Sequence, residues 1–299
     1  MPRRRGLYMS NMAQSPISPP KVSVVMLTYN RPQKIGRAIT SVCAQTFDDW
    51  ELIIVENGNN PETHRLLAEW LAKEPRIRHF HREAVGSIAL ESNFGIEQAR
   101  GEYIAILDDD DYWGLADKLA RQVEFLDRHP DYAGCGGGYI MIDQDDRVQG
   151  KFFKPETDAA IRAWALLANP MANSTAMFRR IVNGQLSLYD PALRQFADWD
   201  FWLTMGARGK LYNFIAYLQY YTLWESGSSF MYQKANARAS LRILRKHRRE
   251  YRCYWLGLAL AYLYFLYACL PAFIRRFSYR TLSAAKKTLA SVRGSTHQP

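Results

Sequence analysis

An apolar run ending in four consecutive carboxylates is the strongest constraint this sequence places on its fold. Tyr103-Ile104-Ala105-Ile106-Leu107 reads as a short buried strand, and Asp108-Asp109-Asp110-Asp111 follows it without a spacer. Four like charges repel one another and cannot all be buried at one strand end. A divalent cation with a charged ligand relieves that repulsion. Mg²⁺ and Mn²⁺ take oxygen ligands and bridge one or two carboxylates to substrate phosphates. An acidic run can also be a solvated cap of the next helix, here one starting near Tyr112, because Asp is a good N-cap. The pattern around the run decides between the two.

That pattern alternates. Val22-Ser23-Val24-Val25-Met26-Leu27 is an apolar run of the kind buried parallel strands carry, and Thr28-Tyr29-Asn30-Arg31-Pro32 ends it. Pro32 suits a first helical turn, and Gln33–Gln45 has helical spacing with Ile35, Ala38, Ile39 and Val42 on one face. A second strand, Trp50–Val55, leads to the turn Glu56-Asn57-Gly58-Asn59-Asn60. Helices over about Glu62–Lys73, Ser92–Ala99 and Lys118–His129 alternate with strands at Ile77–His81 and Tyr103–Leu107. His79 and His81 alternate around Phe80, which predicts one face of an exposed strand. Gly134–Gly138 reads as a strand with close backbone approach. Residues 151–230 are less regular, with helices near Thr157–Ala168 and Phe196–Gly206. Strands alternating with helices predict a parallel sheet with right-handed crossovers, and such sheets bind ligands beyond the carboxyl ends of their strands. Thr28-Tyr29-Asn30, Glu56-Asn57 and Asp108–Asp111 are therefore expected to converge.

Charge is distributed unevenly. The net charge is +10, but residues from Met231 onward hold 14 Lys or Arg and one acid, Glu250. That tail carries +13 and residues 1–230 carry −3. A basic surface of this kind seeks an anionic membrane surface, a phosphate-bearing lipid or nucleic acid. The basic run sits beside an apolar segment, which argues against nucleic acid. Cys253–Ile274 is 22 residues without a charge, long enough to span a membrane. Four tyrosines, Pro271 and arginines on both flanks (Arg248, Arg249, Arg252; Arg275, Arg276, Arg280) favour a re-entrant or in-plane helix. A membrane span, and a packed helix or homodimer contact, remain the alternatives. Residues 1–20 are expected to be a disordered tail, and Arg3-Arg4-Arg5 is followed by no apolar stretch of a secretory signal. The four cysteines form no CxxC pair, so neither a disulfide framework nor a zinc site is expected.

Over about residues 20–230 these segments resemble family 2 glycosyltransferases, inverting enzymes of the GT-A fold. Val22–Pro32 looks like the family's opening strand and nucleotide-binding turn. Ile53-Ile54-Val55-Glu56-Asn57-Gly58-Asn59 looks like its second strand, V-D-D/N-G-S, with Glu56 in place of the first Asp. Asn93-Phe94-Gly95-Ile96 and Ala99-Arg100-Gly101-Glu102-Tyr103-Ile104 lead into Leu107–Asp111 as the family's N-x-G, A-x-G-x-Y-I and L-D-x-D-D do. Asn173–Arg180 looks like an acceptor-side strand. Phe196-Ala197-Asp198-Trp199-Asp200-Phe201-Trp202-Leu203 looks like E-D-W/Y-D-x-W-L, with Ala197 replacing the leading Glu.

The resemblance implies an α/β domain of Rossmann-like GT-A fold over residues 21–230, its central sheet mostly parallel. Residues 21–115 would bind the nucleotide sugar and 116–230 the acceptor, with 231–299 a basic, apolar, membrane-associating tail. It implies donor contacts from Thr28, Tyr29, Asn30, Arg31, Glu56, Asn57, Asn93, Asp108 and Asp109. It implies Mg²⁺ or Mn²⁺ on Asp110 and Asp108, and Asp198 as catalytic base with Asp111 and Asp200 in support. As a charge in a helix's first turn, Asp198 also complements the macrodipole, and Asp200 is its rival as base. The implied activity is transfer from a UDP-, dTDP- or GDP-sugar to a glycan or lipid-linked acceptor, at the cytoplasmic face of a membrane where activated sugars are made. A nucleotidyltransferase would carry a Gly-rich, Lys/Arg-containing loop after the first strand, and Thr28–Arg37 has none. A non-catalytic scaffold would have lost the acidic run or Asp198, and both remain.

Overall fold

The computed structural model describes residues 18–83, 86–224 and 233–270. The expected N-terminal tail up to residue 17, Pro271–Ile274 and the arginines beyond them lie outside the described residues. Val22–Thr28 (β1), Trp50–Glu56 (β2), Ile77–His81 (β3) and Tyr103–Ile106 (β4) pair in parallel in the order β3-β2-β1-β4. Their continuous apolar runs follow from burial on both faces. Val22, Val24, Met26, Leu52, Ile54, Tyr103 and Ala105 face one core, packed against Pro32–Cys43 (α1) and Lys118–Arg128 (α4). Val25, Ile53, Val55, Ile104 and Ile106 face the other, against Ile88–Gln98 (α3) and Ala197–Arg208 (α6).

Local signals set the helix ends. Pro32 opens α1, and Asn60 caps Pro61–Lys73 (α2) by accepting from the N–H groups of Glu62 and Thr63 at 2.9 and 3.3 Å. Ser87 caps α3 through the Leu90 N–H, so this helix begins four residues before the expected Ser92. Asp158–Trp164 (α5) is shorter than its apolar pattern suggests.

Beyond β4 the sheet changes character. Met177–Arg179 (β8) runs antiparallel to β4, and Tyr132–Ile142 (β6) antiparallel to β8. Lys210–Thr222 (β11) is parallel to β6, Val148–Phe152 (β7) pairs β6, and Tyr112–Trp113 (β5) closes the edge on β11. The sheet among the described residues is thus nine-stranded and mixed. Its first half is parallel as expected, and its second half is antiparallel apart from β6–β11. A two-stranded hairpin of Ile181–Val182 (β9) and Gln185–Leu186 (β10) flanks it. The glycines of β6 admit close neighbours: a Cβ at Gly134 or Gly136 would lie 3.0 Å from Met177 O or 2.9 Å from Asn213 Oδ1.

The tail does not stand apart from the body. Gln233–Lys246 (α7) and Tyr254–Cys269 (α8) share a third core with α6, built from Leu166, Trp199, Leu203, Ile243, Leu244, Tyr251 and Ala261. Among the described residues no helix is long and apolar enough to cross a membrane.

β1 and β4 are neighbours although two strands lie between them in sequence, so the crossover direction reverses there. The strand ends Thr28 and Leu107 flank the crevice such a reversal opens. Its alignment depends on Gly101, just before β4, whose N–H donates to Ser23 Oγ at 2.9 Å. A Cβ at Gly101 would meet Ser23 N at 2.6 Å, which is backbone and cannot turn aside. Gly101→Ala is expected to cost about 1–3 kcal/mol, as overpacking does. Thermal unfolding checks it, and an unchanged midpoint would contradict the close β1–β4 approach.

Candidate active site

The four carboxylates of the acidic turn are not equivalent. Asp109 is buried and accepts from Thr28 Oγ1 at 2.7 Å and Arg31 Nη1 at 3.0 Å. Asp111 is buried on the other side, accepting from Gln219 Nε2 at 2.5 Å and the Thr222 N–H at 2.8 Å. It therefore ties the turn to β11. Asp108 receives the Ser174 hydroxyl at 2.9 Å, and its own N–H donates back to Ser174 Oγ at 3.2 Å. Asp110 is paired with Arg31 at 2.7 Å. Ser174 is itself placed by β5: Trp113 Nε1 donates to its carbonyl at 2.8 Å.

The electrostatics record how crowded this turn is. Burial, then the charge of Asp110, pushes the Asp108 carboxyl up to about 7 despite the Ser174 bond. Burial pushes Asp109 up to about 6 against the opposing Arg31. Asp111 is raised as well, by burial and then by Asp108 and Asp110. One guanidinium does not neutralise the cluster.

Across the cleft stands Asp198, in the first turn of α6. Phe196, the residue before the helix, is left-handed at φ 55°, a strained conformation for an aromatic residue and one that clusters at functional sites. Asn169 Nδ2 donates to Asp198 Oδ2 at 2.7 Å, and the Met171 N–H fixes the amide by donating to its oxygen at 3.2 Å. Lys154 Nζ donates to the Asn169 carbonyl at 2.9 Å. Burial raises the Asp198 carboxyl, opposed by N–H groups of the helix start and by Lys154 and Asn169. The charge of Asp198 is among those that raise Asp108, so the two carboxylates lie near one another. Tyr189 lies near both, its ring stacked on Phe201 at 4.3 Å and its hydroxyl donating to Asn173 Oδ1 at 3.3 Å.

Asp200, the rival base, points away. It is buried, accepting from Lys246 Nζ at 2.6 Å and contacting His247 Nε2 at 2.9 Å, so it joins α6 to α7. The expected donor residues divide in the same way. Tyr29 is 60% exposed at the rim, and Asn30 is left-handed at φ 54°, packed against Gly58. Glu56 ends β2 opposite Thr28 but is fully buried, with His79 Nε2 at 2.9 Å and His64 Nε2 at 3.2 Å. His79 therefore faces Glu56 rather than solvent, because β3 lies directly against β2. Asn57 is half-buried with an unpartnered Nδ2. Asn93 spends both ends of its amide on the backbone of Tyr189, at 2.9 and 2.7 Å, which positions that ring. Lys154, Asn169, Ser174, Tyr189, Gln219 and Thr222 carried no sequence signal of their own, except that Ser174 lies in the segment read as an acceptor-side strand.

The chemistry of the donor set fits a hard divalent cation. Asp108 and Asp110 offer carboxylate oxygens in a turn with excess negative charge, the ligands Mg²⁺ and Mn²⁺ prefer. No group of three or more acidic, His or Cys side chains among the described residues is arranged to hold a metal. Two carboxylates completed by water and phosphate oxygens suffice for these ions.

A parallel half-sheet ending in an acidic turn, opposed by an aspartate at a helix start, defines the GT-A class of nucleotide-sugar transferase folds. The model of glycosyl transferase family 2 matches residues 23–186, and the chain belongs to that family. Two relatives are similar: an uncharacterized glycosyltransferase of Methanocaldococcus jannaschii, 32% identical over 62% of this chain and 64% of its own length, and the putative teichuronic acid biosynthesis glycosyltransferase TuaG of Bacillus subtilis, 31% identical over 64% of this chain and 73% of its own. A Sinorhizobium fredii protein is 39% identical over 46% of this chain, a match spanning 15% of that protein. Among solved structures, the mannosyltransferase PcManGT of Pyrobaculum calidifontis, in complex with GDP-Man and Mn²⁺, shares the fold at a TM-score of 0.61 with 16% identity, over 92% of this chain and 83% of that one. TarS 1–349 of S. aureus with UDP-GlcNAc shares it at 0.59 with 18% identity, over 76% and 66%.

The different roles of the α6 aspartates can be separated by stability. Asp200→Ala removes the carboxylate that His247 Nε2 and Lys246 share, leaving them Glu250 and Asp190. It is expected to cost about 3 kcal/mol, the low end for breaking a buried pair, because Lys246 can turn to water. Asp198→Asn is expected to leave the unfolding midpoint within about 0.5 kcal/mol of wild type. Burial raises the Asp200 carboxyl, but its bonds to His247 and Lys246 outweigh this and hold it below the usual range. Its contribution is therefore complete above the unfolded aspartate value of about 4 and is lost as pH falls below it. Equal midpoints for Asp200→Ala and wild type at neutral pH would contradict the assignment.

Proposed function

We propose that the chain transfers a sugar from a nucleoside-diphosphate sugar to a hydroxyl of a glycan or lipid-linked acceptor, with inversion at the anomeric carbon, in the assembly of a surface polysaccharide or glycolipid. The observation that carries this reading is that one short segment bonds both carboxylates, Asn169 donating to Asp198 and the Ser174 hydroxyl to Asp108. Inversion needs a base on the side of the sugar opposite the leaving diphosphate. Asp198 takes the acceptor proton, and its raised carboxyl is a stronger base than an ordinary aspartate. Asn169 holds one of its oxygens and fixes its direction. Arg31, nearly half exposed and already drawn to Asp110, is placed to pair a donor phosphate. A bound divalent cation would supply the charge that stabilises the departing diphosphate. The relatives support the acceptor class, since TuaG's name places it in teichuronic acid biosynthesis. Neighbours of the same fold bind GDP-Man with Mn²⁺ or UDP-GlcNAc, which supports a nucleotide-sugar donor.

Asp198→Asn is expected to lower turnover by roughly 10²-fold or more, the size of a general-base contribution, with donor binding unchanged. Because burial raises Asp198, wild-type turnover should fall on the acid side at a pH above the ordinary aspartate value, and the variant should lose that limb. Steady-state kinetics across pH checks both, and near-normal turnover of the variant would remove Asp198 as base. Asp110→Ala should abolish the Mn²⁺ dependence of donor binding measured by titration calorimetry. Metal-enhanced binding that survives in this variant would place the cation elsewhere.

A further inference from the structure

α8 has two faces of opposite kind. Gly257, Ala261 and Ala268 fall on one side and are buried against the body. Their smallness is required there, since a Cβ at Gly257 would meet the Leu166 carbonyl oxygen at 2.8 Å and Leu244 Cδ2 at 3.0 Å. At about 100° per residue, Trp255, Leu256, Leu263 and Leu266 fall on the opposite side, and Leu260 on its flank and Leu270 just past the helix are exposed as well. Trp255 is 78% exposed, and Leu263 and Leu266 are each 62% exposed. Monomeric proteins rarely leave so continuous an apolar face in water.

The surroundings of that face say what covers it. Arg245 lies against its edge, donating to the Tyr262 hydroxyl at 3.1 Å. Arg248, Arg249 and Arg252, all exposed, occupy the connector from α7 to α8. In sequence, residues 271–299 add six Lys or Arg and no acid. A second copy on this face would bring two such cationic clusters together, which like-charge repulsion opposes. An anionic lipid surface neutralises them while its acyl boundary takes the leucines, and Trp and Tyr rings favour that interface. The helix covers 16 residues, about 24 Å at 1.5 Å per residue, against the roughly 30 Å of a hydrocarbon core. It ends at Leu270, whose extended backbone is what the residue before Pro271 adopts.

We infer that α8 is an in-plane membrane helix whose Trp255–Leu270 face docks on an anionic bilayer, with the arginines of the α7–α8 connector on the headgroups. The docked element is joined to the site. Lys246 and His247, at the end of α7, hold Asp200 two residues beyond Asp198. The cleft is thereby held in fixed relation to the bilayer surface, the geometry an acceptor embedded in lipid would need.

Flotation of the full chain with vesicles tests this, and it reads binding rather than turnover, so it stands apart from the transfer reading. With equal parts phosphatidylcholine and phosphatidylglycerol the wild-type chain should float, and with phosphatidylcholine alone it should float less. High salt should weaken binding without abolishing it, since the apolar contribution is unscreened. Leu263→Glu with Leu266→Glu changes only exposed side chains. It should keep the unfolding midpoint and lower the vesicle partition coefficient about tenfold or more. Arg248→Glu with Arg249→Glu should erase the preference for anionic vesicles. Failure of the wild-type chain to float with anionic vesicles would overturn the inference. So would unchanged flotation of the leucine variant, and a leucine variant that converts a dimer to a monomer while still floating would assign the face to a second copy.

Discussion

Mutual repulsion within Asp108–Asp111 organises the structure around it. The carboxylates draw partners from three separate parts of the chain, with Arg31 shared between Asp109 and Asp110. Thr28 and Arg31 come from the end of β1 and the turn after it, Ser174 from the segment before β8, and Gln219 and Thr222 from β11. The turn is therefore the point where the parallel half-sheet is fastened to the antiparallel half. Asp109 and Asp111 are consumed in that fastening. Asp108 and Asp110 remain beside the cleft with more negative charge than Arg31 can balance. The same repulsion that threatens the fold leaves excess negative charge at this turn.

The opposite wall follows a similar logic. α6 presents two aspartates two residues apart, and a helix turns such a pair to different sides. Asp198 faces the cleft with Asn169, and Asp200 faces α7 with Lys246 and His247. One short helix thus supplies the candidate base and the anchor for the C-terminal helices. Tyr189, fixed at its backbone by Asn93, stacks on Phe201 of the same helix and ties α3 to this wall.

Much of this was legible in the sequence, for identifiable reasons. β1, β2 and β4 are buried on both faces, so their apolar runs stand out, and polar residues mark their ends. Pro32 marked the start of α1 correctly, and the glycines of Gly134–Gly138 marked a strand of close approach. β11 was not legible: register shifts against β6 around Phe214 and Tyr217 break the two-residue alternation that signals a strand. The anchoring of Asp200 was not legible either, because its partners lie 46 and 47 residues further on. Glu56 read as a donor contact at a strand end, and its pairing with two histidines of α2 and β3 carried no sequence signal. Tertiary partners at long separation decided each of these cases, and no local pattern encodes them.

The central claim is that the acidic turn after β4 holds the diphosphate of a nucleotide through a divalent cation. The most direct measurement is a crystal structure of the chain with Mn²⁺ and a nucleoside diphosphate, with anomalous data collected at the manganese edge. The account predicts a single anomalous peak at about 2.0–2.2 Å, the distance typical of small hard cations, from carboxylate oxygens of Asp110 or Asp108. Phosphate oxygens should complete the coordination, and Asp198 should face the open side of the cleft. A nucleotide bound away from this turn, or a manganese peak that neither carboxylate touches, would contradict it.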